Sequence, residues 1–191
     1  SDSGKLTLIL GDATGHGLQS GTLVTATKSL FQSMKIEEDL GNTVSNMSLS
    51  LKSMNLNRLG MALTLVELHG RQLRYCAAGI PPMLVYRAKE EIIEEGVTGG
   101  LPLGLTSHGS YQQTELTLES GDALLLMSDG LAERTNEEGE EFGYQRVQAL
   151  FHEVAKETPA EICRKMAAGG DAWAGGKDQE DDVSFLALRI K

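Results

Sequence analysis

Basic residues are scarce in this chain: 17 Lys and Arg stand against 27 Asp and Glu among 191 residues, a formal net charge of -10. Such a surface repels phosphate backbones, which argues against nucleic-acid binding. Cysteine is scarcer still. Cys76 and Cys163 make no disulfide framework, and no CxxC pair suggests zinc or redox chemistry. Both read as small core residues. No apolar run approaches the ~20 residues of a membrane span, and no basic-then-apolar leader opens the chain. The sequence therefore reads as a cytoplasmic protein with no membrane partner. What is present is ordinary for a folded chain: 40% hydrophobic and 23% charged residues, in a length suited to one domain with its own core. The chain starts at Ser1 rather than Met and is in an apolar run by Leu6, so it reads as a piece of a longer protein.

Periodicity divides the chain into strands and helices. Leu6 to Leu10 is a β-rich run that stops at Gly11-Asp12, a strand delivering a loop. Residues 18–35 place Leu23, Val24, Thr27, Leu30, Phe31 and Met34 on one helical face. A second helix carries Leu40, Val44, Met47, Leu51 and Met54. That stripe reads first as a face buried against a sheet; a seam between two copies, making a homodimer, is the other use open to it. From Met61 the period shortens. Residues 61–68, 71–77, 83–87, 91–95, 112–118 and 122–128 read as strands, with His69-Gly70 as a hairpin turn. Helical spacing returns over 143–156 and 159–168, and Val183 to Ile190 reads as a last strand. With neither repeat nor long linker, this order predicts an α+β layered fold.

Acids gather toward the C-terminal third, and three acidic clusters share one topological position. Asp12 follows the first strand, Asp129 follows Ala123 to Met127, and Asp181-Asp182 precede the last strand. Each alone has a plain explanation, as an Asp-Gly turn, a loop cap or a solvated strand entrance. Together they form an oxygen-only set of mutually repelling carboxylates, the kind that Mg²⁺ or Mn²⁺ neutralises, whereas Zn²⁺ favours His or Cys. His16, beside Asp12, reads as a loop-shaping residue. Other active-site types fail on their letters. A cysteine-phosphatase loop needs Arg six positions after the nucleophile, where Pro82 and Gly169 stand. A Walker loop fails at Asp171 and Asp178, and no G-x-S-x-G elbow surrounds Ser20.

Five segments in order resemble the metal-dependent serine/threonine phosphatases of the PPM superfamily, in their bacterial SpoIIE/RsbU-like branch. They are Gly11-Asp12-Ala13-Thr14-Gly15-His16-Gly17, Ala78-Gly79-Ile80-Pro81-Pro82, Leu101-Pro102-Leu103-Gly104, Ser128-Asp129-Gly130-Leu131 and Asp181-Asp182-Val183-Ser184. The resemblance implies an α/β/β/α sandwich of two mainly antiparallel sheets flanked by helices. It implies two Mn²⁺ or Mg²⁺ ions, with Asp12 bridging them, the Ala13 carbonyl holding one, and Asp129 and Asp181 on the second, with Asp182 a neighbour or alternate ligand. It implies hydrolysis of phosphoserine or phosphothreonine in a phosphorylated protein, a STAS-type anti-sigma-factor antagonist. A sensor or receiver domain is expected upstream in the parent chain.

Two departures are visible. The family's upstream strand, with its G-G-D-x-x-D motif, would precede Lys5, so residues 1–191 read as one N-terminally truncated phosphatase-like domain. Ile80 also stands where the family has histidine. The alternative function is a catalytically inactive phosphatase-like module that binds a signalling partner.

Overall fold

The computed structural model describes residues 4–56 and 59–191. They form two compact units: one holds the chain up to Ile80 together with Val97–Thr117, the other Pro81–Gly96 and Leu118–Lys191.

In the first unit, strand β1 (Lys5–Ala13) leads to helices α1 (Leu18–Ser33) and α2 (Leu40–Ser53). Strands β2 (Met61–His69) and β3 (Gln72–Ala78) follow, and β6 (Thr114–Thr117) comes after the excursion into the second unit. The sheet runs β1-β2-β3-β6, antiparallel throughout. Alternation puts Met61, Leu63 and Leu65 of β2 on one face, and the register sets Leu63 opposite Ala78 and Leu65 opposite Cys76. On that face pack Leu23 of α1 and Leu40, Val44, Met47 and Leu51 of α2. The α2 stripe is thus core, as its spacing suggested first, with Met54 left partly exposed. Asp39 caps α2 by accepting from the Gly41 amide at 2.8 Å.

The second unit has the sheet β5-β4-β7-β8, again antiparallel, built from β4 (Leu84–Arg87), β5 (Ile92–Glu95), β7 (Ala123–Met127) and β8 (Phe185–Arg189). Leu84 and Tyr86 align with Leu125 and Ala123 on one face. Helices α3 (Gly143–Val154) and α4 (Pro159–Ala174) cover that face with Val147, Phe151, Ile162 and Met166. All five residues of β7 are buried, as a central strand requires.

Two elements differ from their sequence reading. Strand β1 does not stop at Gly11: pairing with β2 carries it through Asp12 (opposite Ala62) and Ala13 (opposite Met61), so tertiary pairing overrides the turn-forming letters. Helix α4 runs six residues past 168 because Gly169-Gly170 are sites of close packing rather than helix breakers. A methyl group at Gly169 would lie 2.4 Å from a Leu150 carbon, and one at Gly170 2.6 Å from Leu131. Their loss of helix propensity, ~1 kcal/mol each, is offset by the close approach of neighbouring elements. Each unit is one antiparallel sheet bearing two helices, in agreement with the expected α+β class. No helix among the described residues is long and apolar enough to cross a membrane.

Candidate functional site

In the second unit, the end of β7 and the approach to β8 are joined beyond their last ladder pair, Met127 opposite Phe185. The Ser128 amide donates to the Ser184 carbonyl at 3.1 Å. The Ser128 hydroxyl donates to the Asp182 carbonyl at 3.1 Å and accepts from the Ser184 amide at 3.0 Å. Ser128 is itself buried. Asp129 opens a short 3₁₀ turn, Asp129–Leu131. Gly130 is in near contact with the facing segment: a Cβ there would lie 2.3 Å from the Asp182 carbonyl oxygen. On that segment the Asp182 amide donates to the Asp181 carboxylate at 2.8 Å, and the Gln179 side-chain amide to the Asp181 carbonyl at 2.8 Å. Farther out, Arg134 donates to the Lys177 carbonyl, and Lys177 reaches Thr135 and Glu180. Asp129 and the Asp181-Asp182 pair, some fifty residues apart in sequence, are therefore brought together.

The electrostatics of this region are those of crowded negative charge. Glu133 donates its amide to the Asp129 carbonyl at 3.0 Å, one turn on. The charge of Asp129 pushes the Glu133 carboxyl above its usual range, with burial, Glu141 and Asp181 adding to the effect. Burial raises the Tyr144 hydroxyl, and Asp129, Glu133 and Glu141 raise it further. Ser128 stood in the Ser128-Asp129-Gly130-Leu131 segment, but sequence reasoning gave no separate role to it, to Glu133 or to Tyr144. Glu133 had a signal in its four-residue spacing from Asp129.

In the first unit, Asp12 and Ala13 end β1 and are half-buried. The loop that follows is tied down. Thr14 exchanges backbone and hydroxyl hydrogen bonds with Gly60, at 2.9 Å for both the Thr14 amide to the Gly60 carbonyl and the Gly60 amide to the Thr14 hydroxyl. Ser20 donates to the Thr14 carbonyl at 3.1 Å. His16 is exposed. Ile80, at the family's histidine position, is buried.

Neither thiol suits nucleophilic work. Burial, aided by Asp39, pushes the Cys76 thiol up to about 12, and burial also raises Cys163. Among the described residues no three His, Cys, Asp or Glu side chains are grouped so as to hold a metal ion. The donor type around Asp129 nevertheless suits a hard divalent cation. It consists of carboxylate oxygens on two sequence-distant segments tied together by Ser128, while His152 is engaged by the Glu91 carbonyl and the Tyr86 ring.

The pattern of the family described as Stage II sporulation protein E (SpoIIE) matches residues 2–191. The chain belongs to the SpoIIE family. The resemblance to the SpoIIE/RsbU-like branch of the PPM phosphatases is thereby borne out. Among curated relatives, the phosphoserine phosphatase RsbU of Bacillus subtilis (strain 168) is 28% identical over 149 residues, covering 72% of this chain and 42% of that protein. The chain thus matches less than half of that relative's length. Among solved structures, the SiaA-PP2C domain of Pseudomonas aeruginosa superposes with a TM-score of 0.83 at 20% identity, over 99% of this chain and 81% of that one. The PP2C phosphatase domain of SpoIIE from Bacillus subtilis, solved with a fragment of its regulatory domain, gives 0.77 at 19% identity, over 98% and 55%. At these identities the likeness establishes the fold.

Proposed function

We propose that residues 1–191 form one catalytic domain of a metal-dependent phosphoprotein phosphatase acting on phosphoserine or phosphothreonine. The observation that carries this is the joining of the Asp129 loop to the Asp181-Asp182 segment within a field of carboxylates, in a member of the SpoIIE family. The carboxylates of Asp129 and Asp181, with Asp182 beside them, would hold Mn²⁺ or Mg²⁺ in the second unit; Asp12 and the Ala13 carbonyl are the ligands that the family resemblance assigns in the first. Bound there, the ions supply acidified water near neutral pH and positive charge for the phosphoryl oxygens. The residues themselves attract and hold cations that offset their repulsion, and they align the charge with which a phosphate monoester dianion pairs. Overall, a water oxygen bonds to phosphorus, the bond from phosphorus to the serine oxygen breaks, and a proton ends on that oxygen. Neither thiol is needed, in keeping with two raised cysteines.

The substrate we favour is a STAS-type anti-sigma-factor antagonist in a cytoplasmic signalling circuit, under an upstream sensor or receiver domain. Support comes from the relationship to RsbU. A second reading, an inactive partner-binding module, is favoured by the lack of a three-residue metal group among the described residues. Turnover of p-nitrophenyl phosphate by the full-length parent protein separates the two. With Mn²⁺ the protein is expected to hydrolyse it, and Asp129→Asn to lower kcat/KM at least ~100-fold. Undiminished turnover in chelator would overturn the metal mechanism, and no turnover under any metal would favour the inactive module.

A further inference from the structure

The ladder between β7 and β8 runs five pairs, from Ala123 opposite Arg189 to Met127 opposite Phe185. Beyond it the backbone of Ser184 and Asp182 needs other partners, and one buried hydroxyl on Ser128 supplies a donor and an acceptor at once, at 3.1 and 3.0 Å. The missing side chain at Gly130 lets the two segments close to that distance. A side chain whose loss would spare the sheet and the Ser128–Ser184 backbone bond, yet release Asp182 from the Asp129 loop, is placed to serve the site rather than the fold.

We propose that Ser128 is a positioning residue, its hydroxyl locking the Asp181-Asp182 segment against the Asp129 loop so that the two meet a cation as one preformed set. The proposal rests on the metal-dependent reading above. Ser128 acts through the Asp182 carbonyl and the Ser184 amide, to which its hydroxyl bonds. Residues that orient ligands in this way typically change metal affinity by 10–100-fold when lost.

The test uses the full-length protein and four variants: Ser128→Ala, Ser128→Thr, Asp129→Asn and Val147→Ala, the last a fully buried core residue of α3. Three quantities are read: exchange of the Ser184 amide in metal-free protein, Mn²⁺ binding by titration calorimetry, and the melting temperature. Ser128→Ala is expected to speed Ser184 exchange and weaken Mn²⁺ binding about tenfold. Ser128→Thr, which keeps the hydroxyl, restores both. Val147→Ala lowers the melting temperature yet leaves Mn²⁺ affinity as in the wild type. Unchanged Mn²⁺ affinity in Ser128→Ala, or an equal loss in Val147→Ala, overturns the proposal, and unchanged Ser184 exchange overturns the lock itself. Wild-type Mn²⁺ binding by Asp129→Asn overturns instead the metal reading beneath it, whatever the Ser184 exchange shows.

Discussion

The two units fix their acidic residues by different means. In the first, Asp12 is the penultimate residue of a paired strand, opposite Ala62, and the loop beyond it is moored by Thr14 on Gly60. In the second, Asp129, Asp181 and Asp182 lie past the ends of β7 and β8, held by a serine hydroxyl and by the absence of a side chain at Gly130. A backbone ladder spreads its hold over many bonds, so single substitutions disturb it little. A side-chain lock is concentrated in one or two residues and fails with them. The first carboxylate should therefore tolerate neighbouring mutations that the other three do not.

The largest effects test the platforms beneath these arrangements. Leu63 and Phe151 are fully buried, one in each core. Phe151→Ala is expected to cost about 3–5 kcal/mol and Leu63→Ala about 2–5 kcal/mol by urea denaturation. If both changes leave Mn²⁺ affinity intact in the protein that remains folded, each platform merely carries its carboxylates. Gly130→Ala comes next. Its methyl group would press on the Asp182 carbonyl, with an overpacking cost of about 1–3 kcal/mol, and it is expected to weaken Mn²⁺ binding measured by calorimetry. A methyl accepted there without change would show the second arrangement to be as tolerant as the first. The smallest effect belongs to Thr14→Val, which removes the hydroxyl contact with the Gly60 amide for about 1 kcal/mol. Strand β1 stays paired, so Mn²⁺ affinity should hold; a loss as large as that of Gly130→Ala would erase the contrast between the units.

Much of the fold was legible because burial imposes periodicity. The stripe Leu40, Val44, Met47, Leu51 gave α2, and the apolar run Ala123 to Met127 gave β7. The misreadings share one cause. Gly11-Asp12 and Gly169-Gly170 carry strong local preferences for turns, and in both places long-range contact decides otherwise: the β2 partner for the first pair, Leu150 and Leu131 for the second. Strand β6 is shorter than the run 112–118 because it pairs only with Gln72–Tyr75 of β3. In the site, the meeting of Asp129 with Asp181-Asp182 could be anticipated from their shared position at strand ends. The role of Ser128 could not, since a hydrogen bond spanning 54 residues leaves no trace in local spacing. Glu133 was half visible, one helical turn from Asp129, but nothing in the letters shows that Glu141 and Asp181 also press on it.

The raised thiols carry a consequence for a cell under chemical stress. Peroxide attacks thiolates, and burial holds Cys76 in its protonated form at physiological pH, while it pushes Cys163 in the same direction. An oxidant that silences enzymes built on a reactive cysteine finds little thiolate to attack at Cys76.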